Sequence, residues 1–269
     1  MPEAASAGVV AIGWPQLLLA SAFMLVTGVL TYAVGARLER DLALATVRTY
    51  LQLLALGFVL RWVFANDLPL IVLALLGLMS VVATRIVLQR APDAPSGLLG
   101  STLLAMTLTG VTVTFAVTGL VVGVHPWWRA QYVVPIAGMV LGNSMTGISL
   151  VIERVFADLD ARRDAILALT ALGATSWEAA RDSVRTAVRA GLIPTINSMA
   201  AVGIVFIPGM MTGQLLAGVD PLVAAPYQIV VMLMVSAATA TGAVVAVLLS
   251  YGRRFSAEGV FLQKGHRGR

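Results

Sequence analysis

The chain has 269 residues, of which 59% are hydrophobic and only 12% are charged, whereas soluble domains contain about 25% charged residues. This composition excludes an ordinary cytosolic enzyme, a disordered protein and a nucleic-acid-binding protein, because too few charged residues exist to cover a soluble core. The net charge of +5 is concentrated in a few short stretches, so the expected partner of these charges is a membrane lipid surface.

Seven stretches of the sequence are apolar enough to cross a bilayer, which requires about 20 helical residues. In chain order they are Trp14–Val34, Thr49–Phe64, Leu68–Leu88, Leu98–Val124, Tyr132–Val155, Ala187–Ala217 and Pro226–Tyr251. We therefore predict an all-α, multi-pass membrane protein with about seven transmembrane helices. The second stretch is short and is expected to extend towards its N-terminal end. The sixth is too long for one crossing, so part of it is expected to lie outside the bilayer.

The distribution of Lys and Arg predicts the orientation, because both are enriched in cytoplasmic loops. Of the 18 Lys and Arg residues, only Arg61 and Arg129 lie in one set of loops, and the rest lie in the opposite set. The N-terminus is therefore predicted outside and the C-terminus in the cytoplasm, in the plasma (inner) membrane. We predict one transmembrane domain over residues 1–255 and a basic, loose cytoplasmic tail over residues 256–269.

The cytoplasmic segment after the fifth stretch has a helical pattern over Asp160–Leu172. Gly173 is expected to end that helix. Thr175 and Glu178 have the spacing of a capping box, which begins a second helix. This second helix continues into the sixth stretch, where Pro194 is expected to kink it or loosen a turn.

The second helix of this segment presents three arginines, Arg181, Arg185 and Arg189, at a spacing that places them on one face. They face lipid headgroups and water, or they contact an acidic partner surface. The layout favours a partner. Two short helices within residues 156–190 meet at a Gly-Ala-Thr corner beside Trp177, and the second of them joins a membrane helix.

Three segments resemble the FetB/YbbM family of ABC-transporter membrane subunits. They are RTYLQLLALGFVL (48–60), VVPIAGMVLGNSMTGISLVIERV (133–155) and the long run from LGATSWEAARDSV to AAPYQIV (172–230). The paired motifs GMVLGNSMTGISL and PTINSM…PGMMTGQLLAG are long and unusual, and the resemblance extends from Arg37 to Arg254.

The resemblance implies a permease subunit that works with a separate ABC ATPase, as a permease homodimer with two ATPase copies. Bacterial members are assigned to iron export, and related plant proteins are linked to aluminium tolerance and nucleotide-sugar transport. ABC permeases engage their ATPase through a cytoplasmic coupling helix. By resemblance that role falls on Gly173, Ala174, Thr175, Ser176, Trp177, Glu178 and Arg181.

The chain has no P-loop, which requires a lysine followed by Ser or Thr. Its one lysine, Lys264, is followed by Gly265. We therefore expect no cofactor on this chain and no enzymatic activity of its own, with ATP and Mg²⁺ bound by the partner ATPase.

Polar side chains are concentrated in the fifth and sixth stretches, where they are costly unless they face protein or water. The predicted transport pathway consists of Asn143, Ser144, Thr146, Glu153, Asn197, Ser198, Met199, Met210, Met211 and Gln214. Asn143 and Asn197 are the best-placed polar groups. The alternative is that these side chains bond across helices as structural contacts.

The cargo is not evident from the residues, and the metal ligands are unknown. Methionine thioethers suit copper(I) better than iron and also pack adaptably. Glu153 is interpreted as a cation-attracting mouth or as an interfacial charge. Iron or another metal species is the first cargo hypothesis and a nucleotide sugar such as UDP-glucose is the second. A stand-alone secondary transporter or channel is a further alternative.

Three GxxxG patterns, Gly119–Gly123, Gly138–Gly142 and Gly209–Gly213, predict close helix contacts within the chain or across a dimer.

Overall fold

The computed structural model describes residues 12–256 and 258–262. Within them the chain forms nine α-helices. In order these are α1 Trp14–Ala33, α2 Glu39–Asn66, α3 Pro69–Gln89, α4 Leu99–Ala116, α5 Ala130–Ala161, α6 Arg163–Ala171, α7 Ser176–Ala201, α8 Gly209–Leu216 and α9 Pro221–Ser250. A π-helical turn, Val117–Val121, extends α4, and a 3-10 turn, Tyr251–Arg254, follows α9.

Six helices of the described chain are long and apolar enough to cross a membrane, namely α1, α2, α3, α4 with its π-helical turn, α5 and α9. The all-α, multi-pass architecture is therefore confirmed. The second predicted stretch is extended at its N-terminal end as expected, because α2 begins at Glu39. The seventh predicted crossing would come from the stretch Ala187–Ala217, which does not form a single helix.

The predicted stretch Ala187–Ala217 is not one helix. α7 continues through Pro194 and ends at Ala201, and α8 begins only at Gly209. Between them the backbone turns at Gly203, whose φ is +79°, a conformation that glycine adopts without a steric penalty. Pro208 then precedes α8 as its N-cap. The break therefore falls after Pro194, at the glycine and the second proline.

The boundary between α5 and α6 also differs from the prediction, which began a new helix at Asp160. α5 continues to Ala161, and the break falls at Arg162. Phe156 and Leu159 are fully buried, and their packing prolongs α5 beyond the expected span. The expected end at Gly173 is confirmed, since α6 stops at Ala171 and Gly173 has a φ of +92°.

α5 lies at the centre of the bundle and packs mainly against α9, α7, α3 and α4. Its N-terminus is held by Asp67, the residue that ends α2. The Asp67 carboxylate accepts a hydrogen bond of 2.8 Å from the Ala130 amide, and its carbonyl accepts one of 3.2 Å from the Trp128 indole. A carboxylate at this end of a helix also interacts favourably with the helix dipole. By contrast, α1 has no buried residue and packs mainly on α2.

The segment after α9 folds back on the bundle. Arg254 is buried, and its Nη2 donates to the Asp160 carboxylate at 2.7 Å and to the Asp93 carbonyl at 3.2 Å. Phe255 and Phe261 are also buried and stack edge to face. Within the tail predicted over residues 256–269, residues 256 and 258–262 are therefore joined to the bundle by the buried Phe261 and by the hydrogen bond of 2.8 Å from the Leu262 amide to the Arg254 carbonyl. The remaining tail, 263–269, lies outside the described residues.

Replacing Arg254 by Ala should lower the free energy of unfolding by about 2 kcal/mol, since it removes the charged hydrogen bonds that the buried guanidinium donates to the partly buried Asp160 carboxylate and to the Asp93 carbonyl. The measurement is the thermal midpoint of the purified protein in detergent. Arg253→Ala is the matched control, because Arg253 is the exposed adjacent arginine. Equal midpoints for the two variants would contradict this assignment.

Candidate functional site

A cavity of about 620 Å³ lies between α5, α7, α8 and α9. Its wall on α5 includes Asn143 and Thr146, and its wall on α7 includes Thr195 and Ser198. The non-helical segment before α8 closes another side with Phe206. The break between α7 and α8 therefore forms part of the cavity wall.

Four of the predicted pathway residues line this cavity: Asn143, Thr146, Ser198 and Met210. Met199 and Met211 line a second, more apolar cavity of about 430 Å³ beside it. Gln228 and Met232 contribute to both cavities, so the two spaces share one wall on α9.

Four predicted pathway residues lie elsewhere. Asn197 and Glu153 are exposed and line neither cavity. Ser144 is buried, and its hydroxyl makes no hydrogen bond to the described residues. Gln214 lies on α8, and its Oε1 is buried and makes no hydrogen bond to the described residues. A place for these residues in the pathway stays a prediction.

Gln228 is a wall residue that the sequence interpretation missed. It is buried on α9, and its Oε1 accepts a hydrogen bond of 3.3 Å from the Met211 amide. This bond connects α9 to α8 across the cavity edge. Gln228 is the one amide side chain in the last apolar stretch, and a polar group in a span is costly without a partner. That cost is the signal that could have identified it.

The helices on two sides of the cavity cross at a pair of glycines, Gly147 on α5 and Gly191 on α7. A Cβ at Gly191 would lie 2.9 Å from the Gly147 carbonyl oxygen and would collide with the Val151 side chain. A Cβ at Gly147 would lie 2.5 Å from the Thr239 side chain on α9. Three helices therefore converge on these two positions, and both glycines also line the cavity.

The predicted GxxxG contacts are largely absent within the described chain. An ideal Cβ at Gly119, Gly123, Gly142, Gly209 or Gly213 would meet no atom outside its immediate surroundings within 4 Å. Gly138 alone faces a neighbour, the Met79 side chain at 3.6 Å. Contacts across a dimer remain a prediction.

The corner between α6 and α7 has the predicted capping box. The Glu178 carboxylate accepts a hydrogen bond of 2.8 Å from the Thr175 amide, and the Glu178 amide donates to the Thr175 hydroxyl at 3.3 Å. The backbone hydrogen bond from Thr175, followed by the one from its hydroxyl, lowers the pKa of Glu178 below its ordinary value. The carboxylate therefore stays ionised at neutral pH and begins α7 at a defined residue.

Large apolar side chains remain exposed around this corner. Leu172 is 86% exposed, and Leu169 and Trp177 are each 40% exposed. Trp177 also stacks edge to face on Tyr251, with ring centroids 5.5 Å apart. Arg181, one turn along α7, is exposed. The corner thus presents an apolar patch with a cationic edge, and the sequence interpretation missed Leu169 and Leu172 as members of it.

A model of the uncharacterised protein family UPF0014 matches residues 14–255. The chain belongs to the UPF0014 family. It is 33% identical to the UPF0014 membrane protein YjkA of Bacillus subtilis, over 90% of this chain and 95% of the relative. Such a match and the six apolar helices indicate a multi-pass membrane protein.

Two further relatives have more specific names. The chain is 30% identical to the "Probable iron export permease protein FetB" of Escherichia coli, over 89% of this chain and 91% of the relative. It is 34% identical to "Protein ALUMINUM SENSITIVE 3" of Arabidopsis thaliana, over 80% of this chain and 78% of the relative. No solved structure matches the chain.

Replacing Gly191 by Ala should lower the stability by about 1 to 3 kcal/mol, because the added methyl group overpacks the crossing with α5. Gly142→Ala, on α5 with open space around it, should be neutral or slightly stabilising, since alanine favours the helix. Thermal midpoints of both purified variants would check this. Destabilisation by Gly142→Ala alone would contradict the described packing.

Proposed function

We propose that this protein is the membrane subunit of an ATP-driven ABC transporter that exports iron or another metal species. The name of the Escherichia coli relative supports an iron export permease role. The cavity between α5, α7, α8 and α9 would hold the cargo, and a separate ATPase subunit would bind ATP and Mg²⁺.

The observation that supports this proposal best is the continuity of α7. This one helix begins at the capped corner beside Trp177 and ends beside the cavity, and it crosses α5 at Gly191 on the way. A displacement of the corner would therefore reach the cavity wall along one continuous helix, which contains Pro194 close to the cavity. Such a connection would couple ATPase closure to alternating access.

The α6–α7 corner is the proposed contact surface for the ATPase. An apolar side chain as exposed as Leu172 is costly in water, and such patches commonly mark partner contacts. The excess of Lys and Arg in the loops on the same side supports a cytoplasmic location for the corner, where an ATPase would bind. In this arrangement the N-terminus lies outside, and the end of α7 and α8 complete a seventh, discontinuous crossing.

Two permease copies and two ATPase copies would form the complete transporter, as the family resemblance implies. The large apolar side chains of α7 and the following segment, such as Ile196 and Ile204, are exposed in the single chain. They are available to lipid or to the second copy.

Coupling is tested by a pull-down of the tagged protein from its own membranes, followed by an ATPase assay of the eluate. Leu172→Glu and Arg181→Glu should remove the co-purifying ATPase activity, because each alters the exposed corner without breaking the capping box. Arg40→Glu is the control, since Arg40 is an exposed arginine on α2, outside the corner. An eluate without ATPase from the unaltered protein would favour a stand-alone transporter.

The cavity is tested by Asn143→Ala, which should lower metal export from cells or ATP-driven transport in vesicles by about tenfold, the effect of one lost hydrogen bond to cargo. Binding of the ATPase should not change. Gln52→Ala is the control, because Gln52 is an exposed amide on α2 outside the cavity. Unchanged transport by the Asn143 variant would refute the cavity assignment.

A further inference from the structure

The hydrogen-bonding groups of the 620 Å³ cavity are all uncharged. Its described wall contains two amides and four hydroxyls, those of Asn143, Gln228, Thr146, Thr195, Ser198 and Ser236, and no ionisable side chain. Glu153 is on the same helix but seven residues past Thr146, which is about 10 Å along the axis. The wall therefore offers neither a carboxylate or imidazole ligand for a bare cation nor a basic group for an anion.

Internal hydrogen bonds determine which atoms are left for a ligand. The Nδ2 of Asn143 uses one of its two protons on the Met139 carbonyl at 2.8 Å, and its Oδ1 is an acceptor open to a ligand. The hydroxyls of Ser198 and Ser236 donate to the carbonyls four residues earlier, at 3.0 and 2.7 Å. A hydroxyl has one proton to donate, so these two oxygens can only accept. This part of the wall is suited to a ligand that donates hydrogen bonds outward.

The size of the cavity agrees with that requirement. A bare metal ion needs several ligand atoms at about 2 Å, and removing it from water without such ligands costs many kcal/mol. An ion that keeps six waters, each with a share of about 30 Å³, fits inside the cavity of about 620 Å³ with room to spare. Such an ion also presents only hydrogen-bond donors at its surface.

We propose that the cargo crosses as a metal cation inside its own ligand shell, either water or a neutral, hydroxyl-bearing chelator. The amide and hydroxyl acceptors of the cavity bind the outward-facing donors of that shell, and no protein atom coordinates the metal. This inference rests on the proposed function and names its cargo more closely. It also disfavours a nucleotide sugar, whose diphosphate would meet no basic side chain in the wall.

The competing arrangement is direct coordination by thioether sulfur. Met139, Met210 and Met232 all line the cavity, and thioethers bind soft metal ions. Replacing these methionines by Leu keeps their volume and removes the sulfur atoms. Direct coordination predicts that metal binding fails in this triple variant, whereas shell recognition predicts that binding persists.

The test uses the purified permease–ATPase complex in lipid nanodiscs with three probes. Cobalt(III) hexaammine keeps its six ligands throughout an assay and mimics a hydrated cation. Tris(kojato)iron(III) is a neutral chelate with one free hydroxymethyl group on each ligand, and aqueous Fe²⁺ is supplied without oxygen. We expect cobalt(III) hexaammine or the kojate complex to bind and to stimulate ATP hydrolysis. The first result would indicate a water shell and the second a chelator.

Asn143→Leu should weaken binding of the recognised complex by about tenfold, the effect of one hydrogen bond. Gln52→Leu on α2 should leave it unchanged. The inference is overturned if Fe²⁺ stimulates the permease–ATPase complex while neither of the two intact metal complexes binds. It is also overturned if the methionine triple variant loses Fe²⁺ binding. The proposed transporter function would survive either result. If no probe stimulates a complex that retains its ATPase, the proposed metal cargo fails together with the inference.

Discussion

The close crossing of α5 and α7 at Gly147 and Gly191 is the contact on which the candidate site depends. Because neither position has a side chain, the two backbones approach so closely that a Cβ at Gly191 would lie 2.9 Å from the Gly147 carbonyl oxygen. A larger residue at either position would separate the helices, widen the cavity and shift the corner that begins α7. These two glycines therefore determine both the shape of the cavity and its distance from the α6–α7 corner.

The general architecture was predictable because it follows from local properties of the chain. Apolar length alone indicates the membrane helices, and the spacing of Thr175 and Glu178 alone predicts the helix start that the structure contains. Likewise, Gly173 ends a helix through its own backbone preference. Each of these features is determined by a few consecutive residues, so it can be recognised from the sequence alone.

The site was predictable only in part, since it is built from long-range contacts. Asn143 and Ser198 belong to the cavity, but neighbouring Ser144 and Asn197 on the same helices do not. Which side of a helix faces a cavity depends on partners such as Gln228, far along the chain. Within the described chain the GxxxG patterns mark few contacts for the same reason, because a glycine shows where helices can approach and not where they do. The single glycines Gly147 and Gly191 have no spacing signature.

The Arg254–Asp160 ion pair has a mechanical consequence. It joins the last turn of α5 to the 3-10 turn that follows α9, while the Asp93 carbonyl joins the loop after α3 to the same guanidinium. Asn143 lies about 25 Å away along α5, near the middle of that helix. Because this ion pair holds one end, any separation of α5 from α9 is smallest at Arg254 and increases towards the cavity.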